Sequence, residues 1–262
     1  MDQEKSANKW VLLVAGSKDW KNYRHQANVC CAYQIIKEHG IPDDNIVVMM
    51  YDDIAYNKDN PIKGNITSVI TDIKNVYTGV PKDYTGDDVT PSNFLAALQG
   101  DDRTQKKVII SGRNNQIFVY MSSLGDEGTF GFPGQNLDAA DLIGAINSMH
   151  HDKKFSKMVI YMDSDKSKSM FKDLSPLKNV YAVTSSDEKA KNQPNNYDTI
   201  RKVYLSDEFS SAWLTFINGN DTSSATLENL FDFITNTVQK PQVLPCKFGD
   251  MKIGENTLSE FL

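Results

Sequence analysis

Five runs of apolar residues, each as long as a β-strand and none alternating with polar residues, place the strongest constraint on how this chain folds. They cover residues 10–15, 46–51, 116–122, 157–163 and 180–184. Continuous runs rich in Val and Ile are typical of strands that other elements cover on both faces. We therefore expect these strands to form a mostly parallel sheet with helices on either side.

Segments with helical periodicity lie between and after these runs, at residues 23–39, 66–76, 91–98, 137–150 and 226–237. The alternation of strands and helices predicts an α/β fold. With 262 residues, 40% of them hydrophobic, the chain can bury a sizeable core, and we expect one domain over residues 1–262. The polar run at residues 186–199 predicts a mobile loop. Ligand-binding and catalytic residues should gather beyond the carboxyl ends of the strands.

Charge and hydropathy argue against several kinds of partner. A net charge of -6, with no cluster of Lys and Arg, disfavours nucleic acid. The longest apolar run is too short to span a membrane. Residues 1–9 lack the apolar stretch of a signal peptide, which predicts a cytosolic chain or one trimmed to a mature form. The triplets that begin at Asn65 and Asn220 match the N-glycosylation pattern, which is compatible with a secretory route.

The cysteines also limit the chemistry that the chain can perform. Cys30, Cys31 and Cys246 form no C-x-x-C pair, and their number and the size of the chain argue against a disulfide framework. Cys30 and Cys31 are adjacent within a helical segment, where Cys30 is expected to act as a small buried apolar residue. We therefore predict neither a metal site nor a cofactor.

Several segments carry a resemblance to a known family. The first strand leads into Ala-Gly-Ser, and a helix then begins with Tyr23, Arg24 and His25. Residues 79–91 read Gly-Val-Pro-Lys-Asp-Tyr-Thr-Gly-Asp-Asp-Val-Thr-Pro. These segments closely resemble the legumain family of asparaginyl endopeptidases, and the likeness covers essentially the whole chain. It implies a caspase-like three-layer sandwich with a mostly parallel six-stranded sheet, without the family's C-terminal prodomain, in an endolysosomal or secreted setting.

The resemblance also implies where the catalytic residues should lie. The family places a histidine followed by glycine after the third strand, where this chain has Leu124 and Gly125. It places a cysteine after the fourth strand, where this chain has Asp165. Leucine cannot transfer a proton, and a carboxylate would repel the oxyanion that the Gly125 N–H would otherwise stabilise. The chain is therefore predicted to be a pseudopeptidase, in which Asn22, matching the family's histidine-orienting residue, has nothing to orient.

The family's pocket for an asparagine side chain is partly kept. Arg24, His25 and Asp207 match its residues, but Lys166 replaces an acidic one, and a pocket serine falls at Lys191 or Asn192. The pocket should therefore be more basic. Either Lys166 pairs with Asp207 and plugs the pocket, or the pocket accepts an acidic side chain. The ion pair is favoured, because an unpaired buried cation is costly.

Binding is therefore the predicted activity, and the expected partners are peptides or proteins. Candidates are a cystatin-type inhibitor, the prodomain of an active legumain, or a host or cell-surface protein. One alternative is a hydrolase with a rebuilt site, in which Lys166 activates Ser164 or Ser167. Others are residual legumain-type endopeptidase activity, or a storage or antigen-like protein whose cleft has collapsed.

Overall fold

The computed structural model describes residues 8–174, 179–187, 191, 193–238 and 244–262. Its strands are β1 Lys9–Ala15, β2 Ile46–Met49, β3 Gln116–Ser122, β4 Gly125–Asp126, β5 Thr129–Phe132, β6 Gln135–Asp138, β7 Lys157–Asp163, β8 Val180–Thr184, β9 Pro194–Asp198, β10 Val203–Asp207 and β11 Cys246–Gly249. Its α-helices are α1 Tyr23–Glu38, α2 Pro91–Gln99, α3 Ala139–His151, α4 Glu208–Gly219 and α5 Leu227–Thr237.

A six-stranded sheet with the order β11-β8-β7-β3-β1-β2 forms the centre of the fold. Its strands run parallel except β11, which pairs antiparallel with β8. The predicted α/β class and mostly parallel six-stranded sheet are therefore confirmed. All five apolar runs became strands of this sheet, while β11 was not predicted, because a short edge strand lacks the continuous apolar run that marks a strand covered on both faces.

Two hydrophobic layers cover the sheet. On one face Val11 and Leu13 of β1 pack in a cluster with residues of α1, α4 and α5. On the other face Leu12 and Val14 pack with residues of α2 and α3. Successive residues of a strand point to opposite faces, so a strand between two layers must be apolar at every position. This arrangement explains why the predicted strands show no polar alternation.

One predicted helix, at residues 66–76, is wrong, because this segment consists of bends and irregular backbone. Short polar side chains form hydrogen bonds with its backbone. Ser68 Oγ accepts from Ile70 N–H at 3.2 Å, and Thr71 Oγ1 accepts from Ile73 N–H at 2.8 Å. Such local bonds compete with helical hydrogen bonds. The Asn75 side chain ties the two ends of the segment together by donating to the Gly64 carbonyl at 2.9 Å.

The polar run 186–199, predicted to be a mobile loop, contains strand β9, which pairs antiparallel with β10. Residues 188–190 and 192 of that run lie outside the described residues. Helix α4 was also missed, because its first turn follows β10 directly, with no turn residues between them. No helix in the described ranges combines the length and apolar character needed to cross a membrane.

Candidate functional site

The carboxyl ends of β1, β3 and β7 meet at one edge of the sheet. Ala15 is in register with Ser122, and Ser122 with Asp163. Hydrogen bonding continues beyond the strands, because Gly16 N–H donates to the Ser122 carbonyl at 3.1 Å and Ser123 N–H donates to the Asp163 carbonyl at 3.0 Å. The loops that follow these strands therefore start from fixed and adjacent positions.

Leu124 and Asp165, which occupy the predicted base and nucleophile positions, lie in loops that touch each other. A Cβ atom added at Gly125 would lie 2.7 Å from the carbonyl oxygen of Asp165. The Leu124 loop is held in place by Ser123 Oγ, which donates to the Gly131 carbonyl at 2.8 Å. The side chain of Leu124 is 42% exposed, so an apolar group faces solvent where the family resemblance implies a histidine.

Arg24 and Asp207 form an ion pair beside these loops. Arg24 Nε lies 2.7 Å from Asp207 Oδ1, and the Asp207 side chain is fully buried. Asn28 Nδ2 donates to the other carboxylate oxygen at 2.9 Å. Arg24 and Asn28 are one helical turn apart on α1, so they reach the same carboxylate. Their four-residue spacing was the signal that could have identified Asn28 from the sequence.

His25 lies next to the same carboxylate but is held by Ser17. The Ser17 hydroxyl and His25 Nδ1 are 2.6 Å apart, whereas His25 Nε2 is 3.9 Å from Asp207 Oδ2 and makes no hydrogen bond among the described residues. Burial, followed by the nearby Arg24 charge, lowers the pKa of His25 well below its usual value. The imidazole is therefore neutral. Sequence reasoning missed Ser17, because no spacing rule predicts contact between a loop and the first turn of the next helix.

Asp163, at the end of β7, is a second buried carboxyl in this cluster. The backbone N–H and hydroxyl of Ser210 both donate to Asp163 Oδ2, while Oδ1 has no partner among the described residues. Burial, and then the neighbouring Asp207, raise the pKa of Asp163. Burial also raises the pKa of Asp207, but Arg24 opposes this shift. Asp163 therefore keeps its proton to higher pH than Asp207 does.

Lys166 does not pair with Asp207, so the predicted plug of the pocket is wrong. Its Nζ atom lies 2.5 Å from Oδ1 of Asp126, the second residue of β4. The backbone of Lys166 is left-handed, with φ 50°. The bond to Asp126 raises the pKa of Lys166. Because Lys166 is turned away, Arg24 is the cation that neutralises Asp207.

The serines of the β7 loop are tied into a buried network. Ser167 Oγ lies 3.1 Å from Ser186 Oγ, and Ser186 Oγ donates to the Ser164 carbonyl at 2.8 Å. Ser164 Oγ is buried without a hydrogen-bond partner in the described part of the chain. Neither Ser164 nor Ser167 is bonded to Lys166, so the predicted serine–lysine pair is not formed.

The remaining cysteines and histidines belong to other elements of the fold. Cys30 and Cys31 are buried in α1, and burial raises the pKa of each thiol to about 12. Cys246 lies on β11, while His150 and His151 end α3. Within the described residues, no three His, Cys, Asp or Glu side chains are grouped so that they could hold a metal ion.

The remaining predicted positions have simpler surroundings. Asn22 precedes α1, and its Nδ2 donates to the Lys18 carbonyl at 2.8 Å, which orders the loop before the helix. Lys191 is exposed, and Asn192 lies outside the described residues. Asn220 is exposed after α4, whereas Asn65 is half-buried and its Nδ2 donates to the Lys74 carbonyl at 3.2 Å.

The sequence profile of the peptidase C13 family matches residues 9–262. The chain is 40% identical to legumain from Homo sapiens, an alignment that covers 99% of this chain and 60% of the relative. It is 37% identical to the vacuolar-processing enzyme delta-isozyme from Arabidopsis thaliana, covering 100% of this chain and 59% of that protein. The hemoglobinase from Schistosoma mansoni is 35% identical, with 97% and 59% covered. The chain thus spans about three fifths of the length of these relatives.

The fold also has a counterpart among solved structures. The crystal structure of caspase-1 from Spodoptera frugiperda superposes with a TM-score of 0.55, covering 92% of this chain and 86% of that one. The sequences are only 10% identical, so this likeness concerns the fold alone. It agrees with the predicted caspase-like architecture.

Proposed function

Because the chain belongs to the peptidase C13 family, we propose that it is a member that has lost peptide hydrolysis and acts by binding a peptide or protein segment. One observation carries the proposal: Leu124 and Asp165 stand in touching loops where a base and a thiol nucleophile are expected. The Leu124 side chain has no group that takes or gives a proton. Asp165 adds negative charge where an oxyanion would have to form.

Neither thiol of α1 replaces the missing nucleophile, and the third cysteine, Cys246, belongs to the edge strand β11. Thiol catalysis requires a thiolate and a proton-transfer partner within hydrogen-bond reach. Burial keeps the Cys30 and Cys31 thiols protonated, since their pKa values are raised to about 12. His25 is also withdrawn from solvent and bonded to Ser17. These contacts support the loss of thiol peptidase chemistry.

The site keeps features that suit binding. His25 Nε2, Asn28 Oδ1, Asp163 Oδ1 and Ser164 Oγ are buried without partners among the described residues. Such atoms are normally satisfied by water or a ligand. A set that includes donors and acceptors fits a side chain such as a carboxamide, which also donates and accepts. The proposed ligand is therefore a peptide presenting a polar side chain to the Arg24–Asp207 pair.

The class of partner follows from this ligand chemistry. A cystatin-type inhibitor or a segment of an active legumain would present such a peptide, and we propose these as partner classes. An endolysosomal or secreted location, with glycans on the candidate asparagines, belongs to the same proposal.

A turnover assay tests the loss of catalysis. The purified protein is incubated with asparaginyl and aspartyl peptides from pH 4 to 7.5, and cleavage is followed by mass spectrometry. We expect no cleavage at any pH, while fluorescence anisotropy with a labelled peptide reports saturable binding. Cleavage that disappears in an Arg24→Met variant whose circular dichroism spectrum shows that it is still folded would place hydrolysis in this cleft and contradict the proposal.

Restoring the two side chains provides a stricter test. The double variant Leu124→His with Asp165→Cys should gain labelling by a thiol-directed peptide probe, because the touching loops already bring these positions together. Each single variant serves as the matched control and should remain unlabelled. Equal labelling of Asp165→Cys alone would show that Leu124 does not occupy the base position.

The alternative, a rebuilt serine hydrolase, has little geometric support, because Lys166 is bonded to Asp126 and Ser167 to other serines. A serine-directed phosphonate probe tests it directly. We expect no labelling of the unmodified protein. Labelling that is lost in Lys166→Ala would favour the hydrolase, and labelling lost in Ser17→Ala would instead identify the Ser17–His25 pair as reactive.

A further inference from the structure

A cavity of about 340 Å³ lies outside the cleft described above, between α4, α5 and β9. Helix α4 contributes Glu208, Ser211 and Thr215, which recur at intervals that place them on one helical face. Helix α5 contributes Phe233 and Thr237, one turn apart. The volume falls at the lower end of the range for small-ligand pockets.

Glu208 is the charged residue of this cavity, and one of its oxygen atoms is unsatisfied. Its Oε2 atom is withdrawn from solvent and makes no hydrogen bond within the described residues. No ion pair joins Glu208 to a lysine or arginine of the described part of the chain. A carboxylate oxygen that has lost water without gaining a partner is costly, even where the residue as a whole is only half-buried. A cation in the cavity would supply the missing compensation.

The rest of the lining suits a cation with an apolar stem. The hydroxyl groups of Thr215 and Thr237 and the side-chain carbonyl of Asn195 can accept hydrogen bonds from an ammonium or guanidinium group. Phe233 lines the cavity with an aromatic ring, a group that attracts organic cations and also packs against methylene groups. Among the described residues, the lining contains no lysine or arginine that would repel such a ligand.

The cavity is separate from the Arg24–Asp207 cleft, although the two begin at neighbouring residues. Asp207 turns toward Arg24, while Glu208, the next residue, turns toward α5. Farther along α4, Ser210 bonds Asp163 in the cleft, and Ser211 lines the cavity. Helix α4 therefore presents one face to each site.

We infer that this cavity is a binding site for an alkyl guanidinium or ammonium group, held by the Glu208 carboxylate and the ring of Phe233. The group is carried either by a free small molecule or by an arginine or lysine side chain of a partner protein. The inference does not depend on whether the cleft is catalytically active.

A ligand titration followed by NMR tests the site on the unmodified protein. Arginine amide, used with an acetylated α-amine so that the guanidinium is its only charge, should shift the amide signals of Asn195, Glu208 and Thr237 in a saturable manner. The acetylated citrulline amide, which is nearly isosteric but neutral, should bind at least about tenfold more weakly, because the charge-assisted bond to Glu208 is lost. Equal affinities of the two ligands would overturn the inference, and this comparison requires no variant to fold.

Two variants test whether Glu208 is the residue that holds the cation. Glu208→Gln keeps the size of the side chain and should weaken arginine amide binding about tenfold or more. Glu38→Gln, at an exposed position on α1, is the matched control and should leave binding unchanged. Unchanged affinity in Glu208→Gln would contradict the assignment. A capped Gly-Gly-Arg-Gly-Gly peptide distinguishes the sources: tighter binding than arginine amide indicates a protein partner, and equal or weaker binding indicates a small cation.

Discussion

The backbone of Asp165 lies directly against Gly125, so that a methyl group on Gly125 would come within 2.7 Å of the Asp165 carbonyl oxygen. The same methyl group would lie 3.1 Å from Ser164 Oγ. This contact sets the distance between the two loops that carry Leu124 and Asp165. Both loops would have to move before any larger residue could replace Gly125.

Gly125→Ala should therefore destabilise the protein by about 1–3 kcal/mol, as overpacking against a backbone atom does. Urea denaturation followed by circular dichroism measures the change. Gly144→Ala is the control: Gly144 lies within α3 and a Cβ atom there meets nothing within 4 Å. It should stabilise the helix by about 0.5–1 kcal/mol. A neutral Gly125→Ala would show that the loops are not in firm contact.

Removing Arg24 should be the most damaging single change in the cleft. Arg24→Met leaves the fully buried Asp207 carboxylate without its cation, and breaking a buried pair costs about 3–5 kcal/mol. Adding Asp207→Asn should recover part of the loss. Arg103→Met removes an exposed ion pair with Asp101 and should leave the unfolding midpoint unchanged. Equal effects of the Arg24 and Arg103 variants would mean that the buried ion pair stabilises the protein no more than the exposed one does.

Asp163 and Asp207 should each contribute stability that is lost as the pH rises from about 4, the usual pKa of aspartate, toward neutrality. Their pKa values are raised in the folded chain, mainly by burial, so each carboxyl binds its proton more firmly in the folded chain than in the unfolded chain. The lowered pKa of His25 acts in the opposite direction below the usual pKa of histidine, because there the unfolded chain binds a proton that the folded chain does not. For each proton that only the folded chain binds, the free energy of unfolding falls by about 1.4 kcal/mol per unit rise in pH.

Asp163→Asn should flatten this pH dependence, since it removes the carboxyl that holds its proton to the higher pH. Thermal unfolding at pH 4.5, 6 and 7.5 measures the slope. Asp141→Asn, at an exposed position in α3, should keep the slope of the unmodified protein. An unchanged slope in Asp163→Asn would show that Asp163 is ionised throughout.

Lys166→Met should leave both stability and peptide binding nearly unchanged. The bond between Lys166 and Asp126 lies at the surface, where water screens an ion pair. Anisotropy with the labelled peptide and thermal unfolding report the two quantities. A marked loss of peptide affinity would instead place Lys166 in the binding pocket.

If the protein is made in a eukaryotic secretory pathway, Asn220 should carry a glycan more completely than Asn65. The side-chain amides of both residues donate to backbone carbonyls, but Asn220 is exposed after α4, whereas Asn65 is half-buried. Peptide mapping after glycosidase treatment measures the occupancy of each site. Higher occupancy at Asn65 would contradict the prediction.

The sheet could be predicted because its signal is local and continuous. Each of the five apolar runs contains the residues that two hydrophobic layers bury, so burial alone marks their positions along the chain. The segment 66–76 could not be predicted in this way. Its apolar residues recur with a helical period, but Ser68 and Thr71 bind the backbone locally and prevent a helix from forming.

The cleft was predicted less completely than the fold. The resemblance placed Arg24 and Asp207 in one pocket, but the ion pair to Asp207 was expected from Lys166 and is made by Arg24. No sequence rule indicated the left-handed backbone of Lys166. Asp163 was expected at a strand end, yet its burial beside Asp207 depends on how α4 packs over the sheet. Contacts between distant elements decide these details, and single-sequence patterns contain no information about them.

The two hydrophobic layers end with the strands: Ala15, Met121 and Met162 are fully buried, while Leu124 and Asp165 lie in the loops beyond. A substitution in those loops therefore leaves the packing of the sheet intact. The residues that pack the sheet and the residues at the two proposed catalytic positions are therefore different ones. The loss of hydrolysis proposed for this chain would remove none of the contacts that keep the sheet folded.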